Sequence, residues 1–153
     1  MNLSVIIPAY NEADAITEVL RSIQARLSSL RLAHELIVVD DGSSDNTGDL
    51  AEAQGAKVVR NPCNSGYGFS LKRGILAAQN EHLLILDADG TYPIEELPKL
   101  LEVYQRGYDM IVGARQGKYY RGNALKNPAR MVFRLMAEFV AGRPPLGLGL
   151  VLQ

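Results

Sequence analysis

Short apolar bursts rich in β-branched residues alternate along the chain with longer stretches in which apolar residues recur every three or four positions. The first burst, Leu3-Ser4-Val5-Ile6-Ile7, is stopped by Pro8 and reads as a buried strand. Ile16, Val19, Leu20, Ile23, Leu27 and Leu30 then follow at helical spacing, with Asn11 placed to cap the start. A second strand, Glu35 to Val39, runs into Asp40-Asp41-Gly42-Ser43, and Asp45 or Asn46 caps a short helix that Gly55 ends. Lys57-Val58-Val59-Arg60 is a third strand, and the loop Asn64-Ser65-Gly66-Tyr67-Gly68 leads into a helix reaching about Gln79. The strand His82 to Leu86 delivers Asp87, and a helix with Pro93 as an early residue extends to about Arg106. Asp109 to Gly113 reads as a fifth strand, and Val132, Leu135, Met136, Phe139 and Val140 mark a last helix.

Strands alternating with helices of ten or more residues imply right-handed crossovers and a mainly parallel sheet, so the fold class is α/β. There is no internal repeat and no interdomain linker; residues 1–143 read as one domain and 144–153, with their Pro-Pro and Leu-Gly alternation, as an irregular tail.

Composition adds mainly exclusions. The 153 residues suffice for one domain with a real core, and an apolar fraction of 47% with 22% charged is ordinary for a globular protein. A net charge of −1 gives no electrostatic reason to expect nucleic acid as a partner, since such binders usually show a basic face. The single cysteine, Cys63, excludes an intrachain disulfide and fits a reducing compartment. No basic n-region precedes an apolar run, and no run approaches the roughly eighteen apolar residues of a membrane span. The expectation is a cytoplasmic protein, free to rest on the cytoplasmic face of a membrane.

In an open parallel sheet, ligands bind outside the carboxyl ends of the strands. Those ends are Pro8-Ala9-Tyr10-Asn11-Glu12, Asp40-Asp41-Gly42-Ser43, Asp87-Ala88-Asp89-Gly90 and Gly113-Ala114-Arg115. Together they make a polar edge suited to a charged, oxygen-rich ligand. On an extended chain residues i and i+2 point the same way, so Asp87 and Asp89 can face one hard divalent cation. A cation held there can bridge a diphosphate and stabilise it as a leaving group. The plainer alternative is that either aspartate caps the helix near Pro93. One of Asp40 and Asp41 can accept hydrogen bonds from a base or ribose, whereas Ser44 and Asp45 read as turn and cap residues. Gly66-Tyr67-Gly68 can bring backbone amides to a phosphate or simply form a flexible connection. Arg115 suits a diphosphate contact. His34, His82 and Cys63 read as structural or solvated. Lys118, Arg121, Lys126 and Arg130 form a basic stretch, either a solvated face or one attracted to a phosphate or an anionic bilayer.

Three of these segments together, Val5 to Glu12, Val39 to Thr47 and Leu86 to Asp89, resemble family 2 glycosyltransferases, with the nearest likeness to dolichyl- or polyprenyl-phosphate sugar transferases. The likeness continues through Asn64 to Gly68 and Val112 to Arg115 and covers roughly residues 3 to 143. The resemblance implies a GT-A fold and a nucleoside-diphosphate-sugar donor. It places Pro8, Tyr10, Glu12 and one or both of Asp40 and Asp41 in the nucleoside pocket, with Ala88 in the donor site. It assigns Asp87 and Asp89 to Mg²⁺ or Mn²⁺, Arg115 to the donor phosphates, and catalysis to Asp89 and Arg115. It also implies inverting transfer to a lipid phosphate, an acceptor already ionised at neutral pH that needs no dedicated general base. After Arg143 the chain leaves the family pattern, so the expectation is a truncated or frame-shifted product lacking the acceptor half, either a transferase or a non-catalytic nucleotide-sugar-binding fragment. A dinucleotide oxidoreductase or a sugar nucleotidyltransferase would want a glycine-rich turn where Pro8-Ala9-Tyr10-Asn11-Glu12 stands.

Overall fold

A computed structural model describes residues 1–113. Arg115, the basic stretch, the last predicted helix and the tail at 144–153 lie outside the described residues. The chain divides into two compact units, Met1–Glu102 and Val103–Gln153, and the sheet belongs wholly to the first.

The elements run β1 (Asn2–Ala9), α1 (Ile16–Ser29), β2 (Ala33–Asp40), α2 (Thr47–Ala53), β3 (Lys57–Arg60), α3 (Tyr67–Ala77) and β4 (His82–Ile85). A short 3₁₀ turn (Ile94–Glu96) and α4 (Leu97–Tyr104) follow. The α/β class expected from the alternation is the one observed. The sheet is four-stranded and parallel, in the order β3-β2-β1-β4. The chain therefore builds outward from β1 on one side and then crosses back to add β4 on the other. That reversal opens a crevice between the carboxyl ends of β1 and β4.

Leu3, Val5, Ile7 and Ala9 of β1 turn one face of the sheet toward the main core, which α1 fills with Ile16, Val19, Leu20, Ile23 and Leu27. The opposite face is covered by α3, packed against β1 and β2. Its closest approach is at Gly74, where an added Cβ would collide with Ile6 Cγ2 and come within 3.1 Å of Val39 Cγ2, both fully buried side chains. Gly74→Ala is therefore expected to destabilise the protein. Overpacking costs about 1–3 kcal/mol, which outweighs the gain of about 1 kcal/mol in helix propensity. A lower urea midpoint with an unchanged m-value checks this, and a midpoint at or above wild type would refute it.

Three local expectations are corrected. Pro8 does not stop β1, which pairs with β2 as far as Ala9. The Ile6 carbonyl accepts from Leu86 on the β4 side and the Ala9 carbonyl from Asp41 on the β2 side. By that alternation the Pro8 nitrogen faces the β4 side, beyond the last pairing of Ile6 with Ile85, where the ladder no longer needs a donor. Asn11 does not cap α1; its φ is +55° and its side chain accepts from the Ser44 backbone N–H at 2.8 Å. Asp109 to Gly113 form no strand. An apolar run makes a strand only where a neighbour supplies the ladder, and no described strand pairs with this stretch.

Candidate functional site

The loops leaving β1 and β2 are stitched together by side-chain-to-backbone hydrogen bonds. Asn11 N–H donates to Ser43 Oγ at 3.0 Å, Glu12 N–H to Thr47 Oγ1 at 2.9 Å and Ala13 N–H to Asp45 Oδ2 at 3.2 Å. Asp45 Oδ1 also accepts from Thr47 N–H at 3.0 Å, so this residue serves the turn, in keeping with its sequence reading. The result is a fixed rim that carries Tyr10 and Glu12 beside the end of β2.

Within that rim lies a cavity of about 410 Å³. Pro8, Ala9, Tyr10 and Glu12 line it from the end of β1, Asp41 from β2, and Asp87, Ala88 and Asp89 from β4. A fourth wall is Asn64, Gly66, Tyr67 and Ser70. Of the residues singled out in the sequence, Asp40 is not in this lining. It is the last residue of β2, with Oδ1 accepting from Ser43 N–H at 3.0 Å. Its Oδ2 lies 2.6 Å from where a Cβ on Gly48 would sit, so it packs under the start of α2. Arg115 lies outside the described residues.

Asp41, one residue on, is held in a different way. Oδ1 accepts from Asn61 Nδ2 at 2.5 Å and from Ser65 N–H at 3.0 Å, and Oδ2 accepts from Gly66 N–H at 2.9 Å. Burial by itself pushes this carboxyl's pKa up. Hydrogen bonds from Asn61, Ser65, Ser70 and Gly66 outweigh it, and the pKa ends below the usual aspartate value. Because the folded value is depressed, its stabilising contribution is complete above the unfolded pKa and is lost as pH falls through the folded one. Asp41→Asn should therefore flatten the acid limb of the stability profile below about pH 4. Parallel wild-type and variant profiles there would exclude this role. The neighbouring loop is set by contact as well as by hydrogen bonds: Gly42 has φ +73°, and a Cβ on it would lie 2.5 Å from the Cys63 carbonyl carbon. Only glycine lets the two backbones meet there.

Asp87 and Asp89 follow the last residue of β4, and Ala88-Asp89 form a turn rather than continuing extended. They reach the same cavity through that turn. Asp89 Oδ1 accepts from Thr91 N–H at 2.9 Å and Thr91 Oγ at 2.8 Å, which fixes the loop. The capping alternative is not realised, since the turn at Ile94 has no side-chain cap. Burial, and then the charges of Asp89 and Asp45, push the Glu12 pKa up. Burial, and then Asp87 and Tyr92, raise that of Tyr67, which hydrogen bonds Asp87. Burial is the larger cause of both shifts, and the carboxylates of Asp45, Asp87 and Asp89 add negative charge at the mouth of the cavity. Among the described residues no three His, Cys, Asp or Glu side chains converge as a ready-made metal cage. Two hard carboxylates in a crowded anionic rim fit a cation that takes its remaining ligands from phosphate and water.

The profile of glycosyl transferase family 2 matches residues 4–147. The chain belongs to glycosyl transferase family 2. Among its curated relatives is the undecaprenyl-phosphate 4-deoxy-4-formamido-L-arabinose transferase of Klebsiella pneumoniae (strain 342). It is 35% identical over 141 residues, which cover 86% of this chain and 43% of that protein. The protein of the same name from Pseudomonas paraeruginosa (strain DSM 24068 / PA7) is 36% identical over 137 residues, covering 85% and 40%. The chain thus spans less than half the length of these relatives. Glucosyl-3-phosphoglycerate synthase from Mycobacterium tuberculosis, solved with Mn²⁺, uridine-diphosphate-glucose and glycerol 3-phosphate, is structurally similar. Its TM-score is 0.66 at 28% identity, covering 88% of this chain and 51% of that one. The GT-A fold implied by the strand-end motifs is the fold of this family 2 chain.

The Asn64 to Gly68 loop is marked in the sequence by its glycines and by the family likeness, but that reading gives Asn64, Tyr67 and Ser70 no place in the pocket that they help to line. Asn61, which follows β3 directly, is not singled out at all.

Proposed function

We propose that this chain binds a nucleoside-diphosphate sugar with a divalent cation and passes the sugar, with inversion, to a polyprenyl phosphate. The single observation carrying the reading is one cavity, at the crossover between β1 and β4, that joins Tyr10, Glu12 and Asp41 to Asp87 and Asp89 in a family 2 chain. The acceptor class is argued from the curated relatives, which are undecaprenyl-phosphate transferases.

In this reading Pro8, Tyr10, Glu12 and Asp41 form the nucleoside end of the pocket. Asp40 supports the turn behind it. Ala88 is the small residue against which the sugar diphosphate passes, and Asp87 and Asp89 hold Mg²⁺ or Mn²⁺. A cation bound there supplies positive charge to the departing diphosphate. Asp89 faces the reacting end and Arg115 adds charge at the donor phosphates. The acceptor's phosphate oxygen attacks the anomeric carbon from the side opposite the diphosphate; one C–O bond forms as the other breaks, and the oxygen arrives already ionised. No helix among the described residues is long and apolar enough to cross a membrane. A lipid acceptor, argued from the curated relatives, sets the proposed reaction at a membrane surface, read as its cytoplasmic face.

Calorimetry of the full chain with UDP and GDP, with and without Mn²⁺, tests donor binding. Transfer to polyprenyl phosphate in vesicles then tests the reaction. Metal-dependent binding of one nucleotide is expected, and binding of neither would end the proposal. Because the chain spans 43% of its relative, binding without transfer would reduce the reading to donor capture alone.

A further inference from the structure

Behind the Asp41 wall, outside the cavity lining, a polar chain runs from Arg73 through Asn61 to Asp41. Asn61 is buried, as are Asp41 and Ser70. Asn61 Nδ2 donates both its hydrogens, to Asp41 Oδ1 at 2.5 Å and to Ser70 Oγ at 2.9 Å. Its Oδ1 accepts from Arg73 Nη1, which also donates to the Arg60 carbonyl at 2.7 Å. Both amide hydrogens and the amide oxygen are thus engaged, and in one orientation only. Flipped, its oxygen would face the Asp41 carboxylate and its NH₂ would face the guanidinium, two like-to-like contacts in a buried place.

The partners of Asp41 also limit what it can do. An ionised carboxylate offers about four lone-pair sites. Asn61 and Ser65 take two at Oδ1, Gly66 takes one at Oδ2, and the Ser70 hydroxyl supplies a further hydrogen bond. A carboxylate so engaged organises the loop that bears Asn64 and Tyr67 rather than reaching out to a ligand.

We infer that Arg73 and Asn61 are positioning residues for nucleoside recognition: they lock Asp41, and through it the Asn64–Tyr67 wall, without touching the ligand. This rests on the reading of the cavity as a nucleoside-diphosphate site. It separates the cavity into two ends, a nucleoside end that depends on Arg73 and a metal-diphosphate end at Asp87 and Asp89 that does not.

The test compares two probes on the full chain in the presence of Mn²⁺: inorganic pyrophosphate, and whichever of UDP and GDP the wild type binds. Arg73→Met should weaken nucleotide binding at least tenfold and leave pyrophosphate binding within twofold. Arg73→Lys, which restores a cationic donor, should recover part of the loss. Unchanged nucleotide affinity in Arg73→Met, or an equal loss of both probes, overturns the inference while leaving the donor-site reading intact. Should Arg73→Met not fold, Asn61→Ser makes the same comparison. A wild type that binds neither nucleotide overturns the site reading itself, and the inference with it.

Discussion

Asp89→Ala is expected to abolish the metal-dependent part of nucleotide binding, raising Kd in the presence of Mn²⁺ by about a hundredfold, equivalent to about 2.7 kcal/mol. The fold should survive, because Asp89 is exposed and sits in a surface turn where it accepts from Thr91 N–H and Thr91 Oγ1. An exposed turn of that kind contributes only about 1 kcal/mol. Calorimetry with and without Mn²⁺, alongside a thermal melt, separates the two effects. An unchanged Mn²⁺-dependent Kd in a folded variant would remove Asp89 from the metal site. The expectation has an electrostatic corollary. Asp89 is among the charges that raise the Glu12 pKa, so in Asp89→Ala the Glu12 value should fall back toward that of an ordinary glutamate. NMR titration of the Glu12 carboxyl reads this directly, and no change would mean that the two groups are not coupled.

The anionic rim also explains what strand-end reasoning could reach. Long β-branched runs such as Val5-Ile6-Ile7 and Leu36 to Val39 are buried on both faces. They announce central strands, and everything just beyond their carboxyl ends is then placed by topology alone. Asp87 and Asp89 were found that way, although the geometry first invoked for them, an extended i, i+2 pair, is replaced by a turn. What stayed hidden depends on partners distant in sequence. β3 has exposed ends and four residues, too weak a signal to direct attention to Asn61. Asp109 to Gly113 carry the short apolar run Met110-Ile111-Val112 but gain no described partner strand, and a run without a ladder is not a strand. Asn11 resembles a cap in sequence, yet its oxygen is taken by the backbone of Ser44, 33 residues away. Adjacent aspartates are the sharpest case: Asp40 and Asp41 are equivalent as letters, and only the end of the β2 pairing turns one under α2 and the other into the cavity.

That difference sets up the second large effect. Asp41→Ala is expected to cost about 2–4 kcal/mol of stability and to abolish nucleotide binding. Removing the carboxylate strands Asn61 Nδ2, Ser65 N–H and Gly66 N–H together. A buried donor left without a partner costs about 1–3 kcal/mol. Asn61 is buried and bears that cost in full, whereas Ser65 and Gly66 are exposed and can turn to water. The loop's release to solvent therefore caps the loss of stability, and the same release dismantles the cavity wall that bears Asn64 and Tyr67. Against a total stability of about 5–15 kcal/mol the variant should still fold, so its binding defect is measurable. Asp40→Ala is the matched control. It removes the acceptor for Ser43 N–H and opens space beneath Gly48, so it should lower the melting temperature while changing nucleotide affinity less than threefold. Thermal melts and calorimetry on the two variants decide the matter. If Asp40→Ala loses the nucleotide and Asp41→Ala keeps it, Asp40 and not Asp41 sustains the nucleoside end.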